Sequence, residues 1–377
     1  MAHTDDEILE AIKANGSQRA AAKALGINRR TLERRLASLA RKGYSPQHDM
    51  TKTVPDGFMV KGVSSLYGAD GQLRQQWVKS AQDLERQREI MRAACEAMVS
   101  ELPKIAPSKP PKGKFRDDLL TAYPIGDPHI GMRAWAAECG QDWDLEIAEK
   151  VHCGAMASLV EAAPKSSQAL IVNLGDAFHY DSMAPVTPRS GHLLDADGRY
   201  AKMIGVGIKI VRQCITSALE KHEFVHIINS PGNHDETGAI WLSAALAHIY
   251  ADEPRVTVDT NPSVFAYYRF GKCLIGVHHG HTCKPDKLPG VMAADRAEDW
   301  GQTRYRYWWI GHIHHESKLE YPGVSVESFN TLASRDAYAT AGGWRSHESM
   351  QAVILHREHG EVARSRVTAA MFRGAAW

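Results

Sequence analysis

Residues 229–238 read NSPGNHDETG, and apolar runs flank them, FVHIIN before and AIWLSAALAHIY after. The first run is short enough for a buried strand and the second long enough for a helix, so the stretch lies where one gives way to the other. Pro231 and Gly232 supply the turn. Asn233, His234 and Asp235 follow it, and all three side chains can bind or orient a ligand. A plain turn also recruits Asn and Asp, so the tripeptide alone decides nothing. The other strand ends decide it.

From about Phe115 onward, short apolar runs alternate with helical segments: LLTAYPIGD, ALIVNLGD, FVHIINSPGN, CLIGVHHGH and YWWIGHIHH. Each is strand-length and ends in Gly beside Asp, Asn or His, the pattern of buried strands that carry ligands at their tips. The fold class is therefore α/β. GDPHIG offers Asp127 and His129, whose i, i+2 spacing sends both side chains the same way in extended chain. GDAFHYD offers Asp176, PGNHDE offers Asn233, His234 and Asp235, and VHHGH offers His279 between His278 and His281. GHIHH offers His312 and His314, again at i, i+2, with His315 beside them.

Carboxylate and imidazole ligands without thiolate suit manganese, iron, zinc or magnesium. One carboxylate shared between two ions holds them about 3.5–4 Å apart, the geometry for displacement at phosphorus. A single GD is ordinarily a turn, and a single histidine ordinarily a hydrogen-bonded core residue. Five such ends in series point to a two-metal site.

This series, D-x-H, G-D, G-N-H-D, H-G and G-H-x-H over residues 127–314, resembles the calcineurin-like metallophosphoesterase superfamily. The resemblance implies two packed mixed β-sheets flanked by helices. It implies one ion held by Asp127, His129, Asp176 and His314, and a second by Asp176, Asn233, His279 and His312. His234 would meet the phosphoryl group and Asp235 would orient it. Two divalent ions are expected, manganese first, with iron, zinc, magnesium or nickel as alternatives. GDPHIGM and GDAFHYDS further resemble stretches of the superfamily's DNA-repair nucleases, with His179 matching a histidine near the substrate strand. Those nucleases carry a capping domain and partner-binding helices after G-H-x-H, whereas 63 residues follow His314 here, a departure from their pattern. The joined architecture looks more like phosphoesterases of phages and prophages. In the 181–200 insert, Arg189 and His192 are candidate substrate contacts. Arg335, Arg345 and His347 are weaker ones.

The N-terminal 45 residues differ in character. DDEILEAIKANG, SQRAAAKALG and INRRTLERRLASLARKG read as three short helices, the first two closed by glycine, with Ser17 and Asn28 as N-caps. That is a helix-turn-helix pattern. Its third helix would present Asn28, Arg29, Arg30, Thr31, Arg34 and Arg35 to DNA, since arginines suit phosphates and guanine edges. It resembles Fis-type and homeodomain-like helix-turn-helix families. Between Ser17 and Lys42, eight Lys and Arg face one acid, Glu33, which leaves 37 basic and 43 acidic residues for the rest. The basic module is thus attached to an acidic body.

Residues 1–45 are thus expected to be a helix-turn-helix domain, 46–113 a connector and 114–377 the metallophosphoesterase domain. In the connector, GADG (68–71) signals a hairpin turn. A helix is expected over about 72–102, where a second copy could pair, and PKIAPSKPPKGK reads as an extended Pro-rich linker. Six cysteines without C-x-x-C pairing, no signal-peptide pattern and no apolar run of about 18 residues point to a cytoplasmic protein, host cytoplasm if phage-encoded, with no membrane partner. The leading expectation is a two-metal phosphodiesterase acting on DNA, a nuclease. The alternatives are a phosphatase or nucleotide phosphodiesterase that uses the helix-turn-helix only for targeting, and a DNA-binding regulator with a phosphoesterase platform.

Overall fold

A computed structural model describes residues 3–41, 44–45, 50–51, 54, 58–68, 70–83, 104–188 and 190–373. The chain forms two compact units, Met1–Ala94 and Cys95–Trp377.

The first unit begins with α1 (Asp5–Asn15), α2 (Gln18–Ala24) and α3 (Arg29–Arg41). Their ends follow local chemistry. Thr4 and Glu7 close a capping box on α1, and Gly16, at φ 66°, ends it in the left-handed region open to glycine. Ser17 Oγ accepts the Ala20 amide at 3.2 Å, and Asn28 Oδ1 accepts that of Arg30 at 2.8 Å. Ile8, Ala21, Ala22 and Leu32 are the buried residues of the small core among the three helices.

Beyond them lie the short pair β1 (Tyr44–Ser45) and β2 (Met50–Thr51), then the antiparallel hairpin β3 (Phe58–Tyr67) and β4 (Leu73–Gln82). The hairpin turns at the expected GADG. The helix expected from Gln72 does not start there, because residues 73–82 are strand. Leu73 and Trp77 are four apart, a spacing that helix and strand both allow, and pairing with β3 (Ser64 opposite Trp77) takes the segment. The rest of that expected helix, from residue 84, lies outside the described residues.

The second unit runs β5 (Arg116–Ile125), α4 (Ala136–Cys139), α5 (Leu145–Ala162), β6 (Ser166–Asn173), α6 (Tyr200–Leu219), β7 (Phe224–Asn229), α7 (Glu236–Ile249) and β8 (Val256–Val258). It continues through β9 (Ala266–Phe270), β10 (Cys273–Val277), α8 (Leu288–Asp295), α9 (Ala297–Gln302), β11 (Tyr305–Ile310), β12 (Ser317–Tyr321) and β13 (Val324–Ser328). It closes with α10 (Ala337–Ala341), β14 (Ser349–His356), β15 (Gly360–Thr368) and α11 (Ala370–Arg373).

Two mixed sheets result, in the orders β15-β14-β5-β6-β7-β8 and β12-β13-β11-β10-β9. β5 to β8 run parallel, as do β10, β11 and β13, while β9, β12, β14 and β15 pair antiparallel with their neighbours. Strands buried on both faces need apolar residues in unbroken runs. In β6, Leu170 and Val172 face the other sheet with Ile275, Val277 and Trp309, whereas Ala169 and Ile171 face the layer of α5, α6 and α7. Leu288 and Met292 of α8 cover the outer face of the second sheet over Trp308 and Val326. The two packed mixed sheets flanked by helices, with a small all-α helix-turn-helix at the N-terminus, are the architecture expected from the sequence.

A buried ion pair ties the sheets together. The guanidinium of Arg364 on β15 forks onto both carboxylate oxygens of Glu327 on β13. The extended Pro-rich segment is strapped to the body: the Ser108 amide donates to Glu253 Oε2 at 2.6 Å, and Arg255 Nη1 donates to Ser108 Oγ at 2.9 Å. Among the described residues, no helix is long and apolar enough to cross a membrane, and Cys139, Cys153, Cys214, Cys273 and Cys283 are free thiols.

Candidate metal centre

Parallel strands place their carboxyl ends on one side, and the expected ligands follow those ends. Asp127 and His129 follow β5, Asp176 follows β6, Asn233 to Asp235 follow β7, His279 follows β10, and His312 and His314 follow β11. Ligand atoms of Asp127, His129 and His314 gather within 4.8 Å of one another, as do those of Asp176, His279 and His312. A third group joins His129 to His179 and His234 by the same measure. Asn233 completes the second group, its Oδ1 lying 3.1 Å from His279 Nε2.

The backbone is bent toward this cluster. Among the described residues, five non-glycine residues have left-handed φ: Asp127 (40°), His129 (42°), Asp176 (52°), His312 (70°) and His314 (54°). Such conformations cost about 1–3 kcal/mol each and persist only where the surroundings enforce them. Two glycines permit the close approach. A Cβ on Gly232 would lie 2.0 Å from Asp176 Oδ1, and one on Gly311 would lie 2.6 Å from Asp127 Oδ2.

Hydrogen bonds fix which atoms face inward. His279 Nδ1 lies 2.8 Å from the Leu174 carbonyl, which can only accept, so Nδ1 carries the proton. Its Nε2 lies 3.1 Å from Asp176 Oδ2 and is the atom that would exchange its proton for a cation. A histidine held this way by its far nitrogen is the usual support of a metal ligand. His129 and His314 approach Nε2 to Nε2 at 3.2 Å, and a cation between two such lone pairs removes their repulsion. Asp127 accepts the His312 amide at 2.8 Å, while Thr331 Oγ1 donates to the Asp127 carbonyl at 2.7 Å. The donor set and its geometry fit divalent metal ions.

Charge follows burial. Burial alone would raise the Asp176 carboxyl, but the histidines around it, His279 first, hold it well below the usual carboxylate range. Burial works against a charged His279, yet Asp176 and Asp127 push it up to about 10. Burial drives His129 well below the ordinary imidazole range and brings His179 down to about 3.

His234 differs from the expectation in one respect. Its Nδ1 lies 2.8 Å from the carbonyl of His179, so it donates there and leaves Nε2 for the site. Asp235, expected to orient the ring, instead accepts backbone amides: Gly232 at 3.0 Å, Asp176 at 3.1 Å and Phe178 at 3.2 Å. Geometry explains the change, because the Asp235 carboxyl is fully buried beneath the turns while the ring stands above them. Sequence reading also missed Asp181, which accepts the Thr237 and Gly238 amides at 2.6 and 2.8 Å and so holds the start of α7. His192 is exposed, its amide donating to Thr187 Oγ1 at 3.0 Å. Arg189 lies outside the described residues. Arg335 donates to the Cys139 carbonyl at 3.1 Å, Arg345 donates to that of Trp344 at 2.9 Å, and His347 is exposed.

On α3 the six expected DNA contacts divide. Asn28 caps the helix, Arg29 pairs with Glu33 at 2.7 Å, Arg35 donates to the His3 carbonyl at 2.6 Å, and Thr31 is half-buried. Arg30 and Arg34, one turn apart, are exposed.

Residues 6–39 match the family model of bacterial regulatory proteins of the Fis family. No curated protein matches the chain. Similar solved structures include a conserved uncharacterized protein, predicted phosphoesterase, from Streptococcus pneumoniae TIGR4, at 12% identity, 66% of this chain, 98% of that chain and TM-score 0.26. Zinc-complexed Vps29 from Entamoeba histolytica has 13% identity, 66% and 99% coverage and TM-score 0.27. The 5'-nucleotidase of Candida albicans SC5314 has 8% identity, 70% and 55% coverage and TM-score 0.32.

Proposed function

We propose that the chain is a two-metal phosphodiesterase that cleaves DNA, a deoxyribonuclease. The observation that carries the reading is that the five left-handed non-glycine residues among the described ones are all candidate ligands. Strain collected on one set of Asp and His side chains supports a metal-dependent function.

Asp127, His129 and His314 would hold one ion, Asp176, Asn233, His279 and His312 the other, with Asp176 shared. Manganese is the metal we expect. When bound, such ions make a bound water nucleophilic near neutral pH and offset phosphate charge. The protein does the rest. The His179 carbonyl fixes the His234 ring, so a protonated Nε2 can donate to a phosphoryl oxygen and then to the leaving oxygen. Asp235 holds the turns of Asp176 and His234 together through their backbone.

DNA as substrate is supported by the Fis-type helices and by Arg30 and Arg34, which neutralise phosphates without regard to sequence. We keep residues 1–45, 46–113 and 114–377 as the functional divisions. The test is cleavage of end-labelled single- and double-stranded DNA with manganese, His234→Ala serving as control. Cleavage lost in the variant supports the reading. Hydrolysis of a monoester or nucleotide without DNA cleavage overturns it and leaves the helix-turn-helix as a targeting device.

A further inference from the structure

We infer that the rim beside His129 is a stacking platform for an extended single strand of nucleic acid; this rests on the phosphodiesterase reading above. Three segments build the rim. The loop after His129 bridges the insert antiparallel at Met132 and Ala196, and the Arg133 amide donates to the Asp195 carbonyl at 2.9 Å. Trp135 and Leu193 lie three residues beyond that bridge on the two segments. The third segment leaves the site at Thr331, which holds the Asp127 carbonyl, and is fastened beside α4 by Arg335 on the Cys139 carbonyl.

Large apolar side chains stand in solvent along this rim: Trp135 is 66% exposed, Tyr338 71%, Trp344 58% and Leu193 87%. Tyr338 and Trp344 meet edge to face, with ring centroids 5.3 Å apart. Arg345 Nη1 reaches back to the Thr340 carbonyl at 3.4 Å, which ties the loop carrying both rings. Single exposed apolar residues are ordinary, whereas several gathered on neighbouring segments mark a site of interaction. Two features point to the occupant: rings that alternate with guanidinium groups, and continuity with the metal centre. Arg133, Arg199 and Arg345 are exposed on these segments, among the exposed acids Glu138, Asp142 and Asp195. Aromatic faces interleaved with arginines suit unpaired bases on a phosphate backbone, because every base has a π-face and each phosphate a charge. A paired duplex hides its base faces and cannot use the rings in this way.

The test uses the full chain in an Arg30→Ala, Arg34→Ala background, which removes the helix-turn-helix contribution. Fluorescence anisotropy with labelled oligo(dT) in EDTA reads binding without cleavage, and oligo(U) asks whether the sugar matters. Trp135→Ala with Trp344→Ala should weaken oligo(dT) binding about tenfold or more, from the worth of one or two stacked bases. Trp344→Tyr should restore most of it. Hydrolysis of bis(p-nitrophenyl) phosphate with manganese should not change, because that ester is too small to reach the rim. Unchanged oligo(dT) affinity in the double variant overturns the platform while leaving the nuclease reading intact. A wild type that hydrolyses the small diester but neither cleaves nor binds DNA overturns both.

Discussion

Asp235 holds Asp176 by its backbone while Asp176 holds His234 in the same way. Asp235 Oδ1 accepts the Asp176 amide at 3.1 Å, and Asp176 Oδ1 accepts the His234 amide at 2.8 Å. The two turns are therefore clasped independently of any ion. Asp235→Asn replaces one acceptor oxygen with an NH₂ facing a backbone amide, so stability should fall by about 1–3 kcal/mol. Metal affinity should fall about 10- to 100-fold with it, as for other supporting residues. Denaturant melts and metal titrations read the two effects separately. Unchanged values in both would remove Asp235 from the site's support.

In the proposed reaction His234 acts through one nitrogen. His234→Ala should lower kcat for a diester by about 10²–10⁴ and leave metal content intact. Loss of metal in the variant would instead make His234 a ligand.

Gly232 has no room for a methyl group against Asp176. Gly232→Ala must displace that carboxylate, and displacement of about 1 Å costs on the order of 100-fold in rate. Wild-type turnover in this variant would show that Asp176 need not sit where it does.

Arg364 reaches across the two sheets to Glu327, whose side chain is 2% exposed. Arg364→Ala leaves that carboxylate buried with Lys318 3.8 Å away, and about 3–5 kcal/mol of stability should go. Arg364→Leu with Glu327→Leu should recover most of it in a thermal melt. Equal loss in the double variant would mean that packing, not charge, is at stake.

His152 and His222 lie outside the cluster, and burial brings both down to about 4. The unfolded chain protonates them near pH 6.5 while the folded chain does not, so acid favours unfolding. Their contribution is whole above pH 6.5 and is lost as pH falls toward 4, by about 3 kcal/mol for each histidine. His152→Leu should flatten the fall in urea midpoint between pH 7 and pH 5. An unchanged slope would mean that His152 titrates alike in the folded and unfolded chains.

The strand ends were legible in the sequence because a buried strand and its polar tip form one local pattern, as in ALIVNLGD ending at Asp176. The helix ends were legible too, since Ser17 and Gly16 act on neighbours within a turn. Partners distant in sequence were not. Nothing around Asp181 announces that it holds the start of α7, and nothing in NTLAS announces that Thr331 holds Asp127. The His179 carbonyl that fixes His234 is backbone, which any residue type provides. Leu73 and Trp77 fit either periodicity, and the partner strand decided between them.

The order of strands in the larger sheet also sets an order in time. β5, which ends at Asp127, lies between β6 and β14, and β14 is drawn from residues 349–356. On the ribosome, β5 lacks one neighbour until most of the chain has been synthesised. The loop that carries Asp127 and His129 is correspondingly late to be fixed. A nascent chain can thus fold its N-terminal helices well before the cluster at the strand ends is complete.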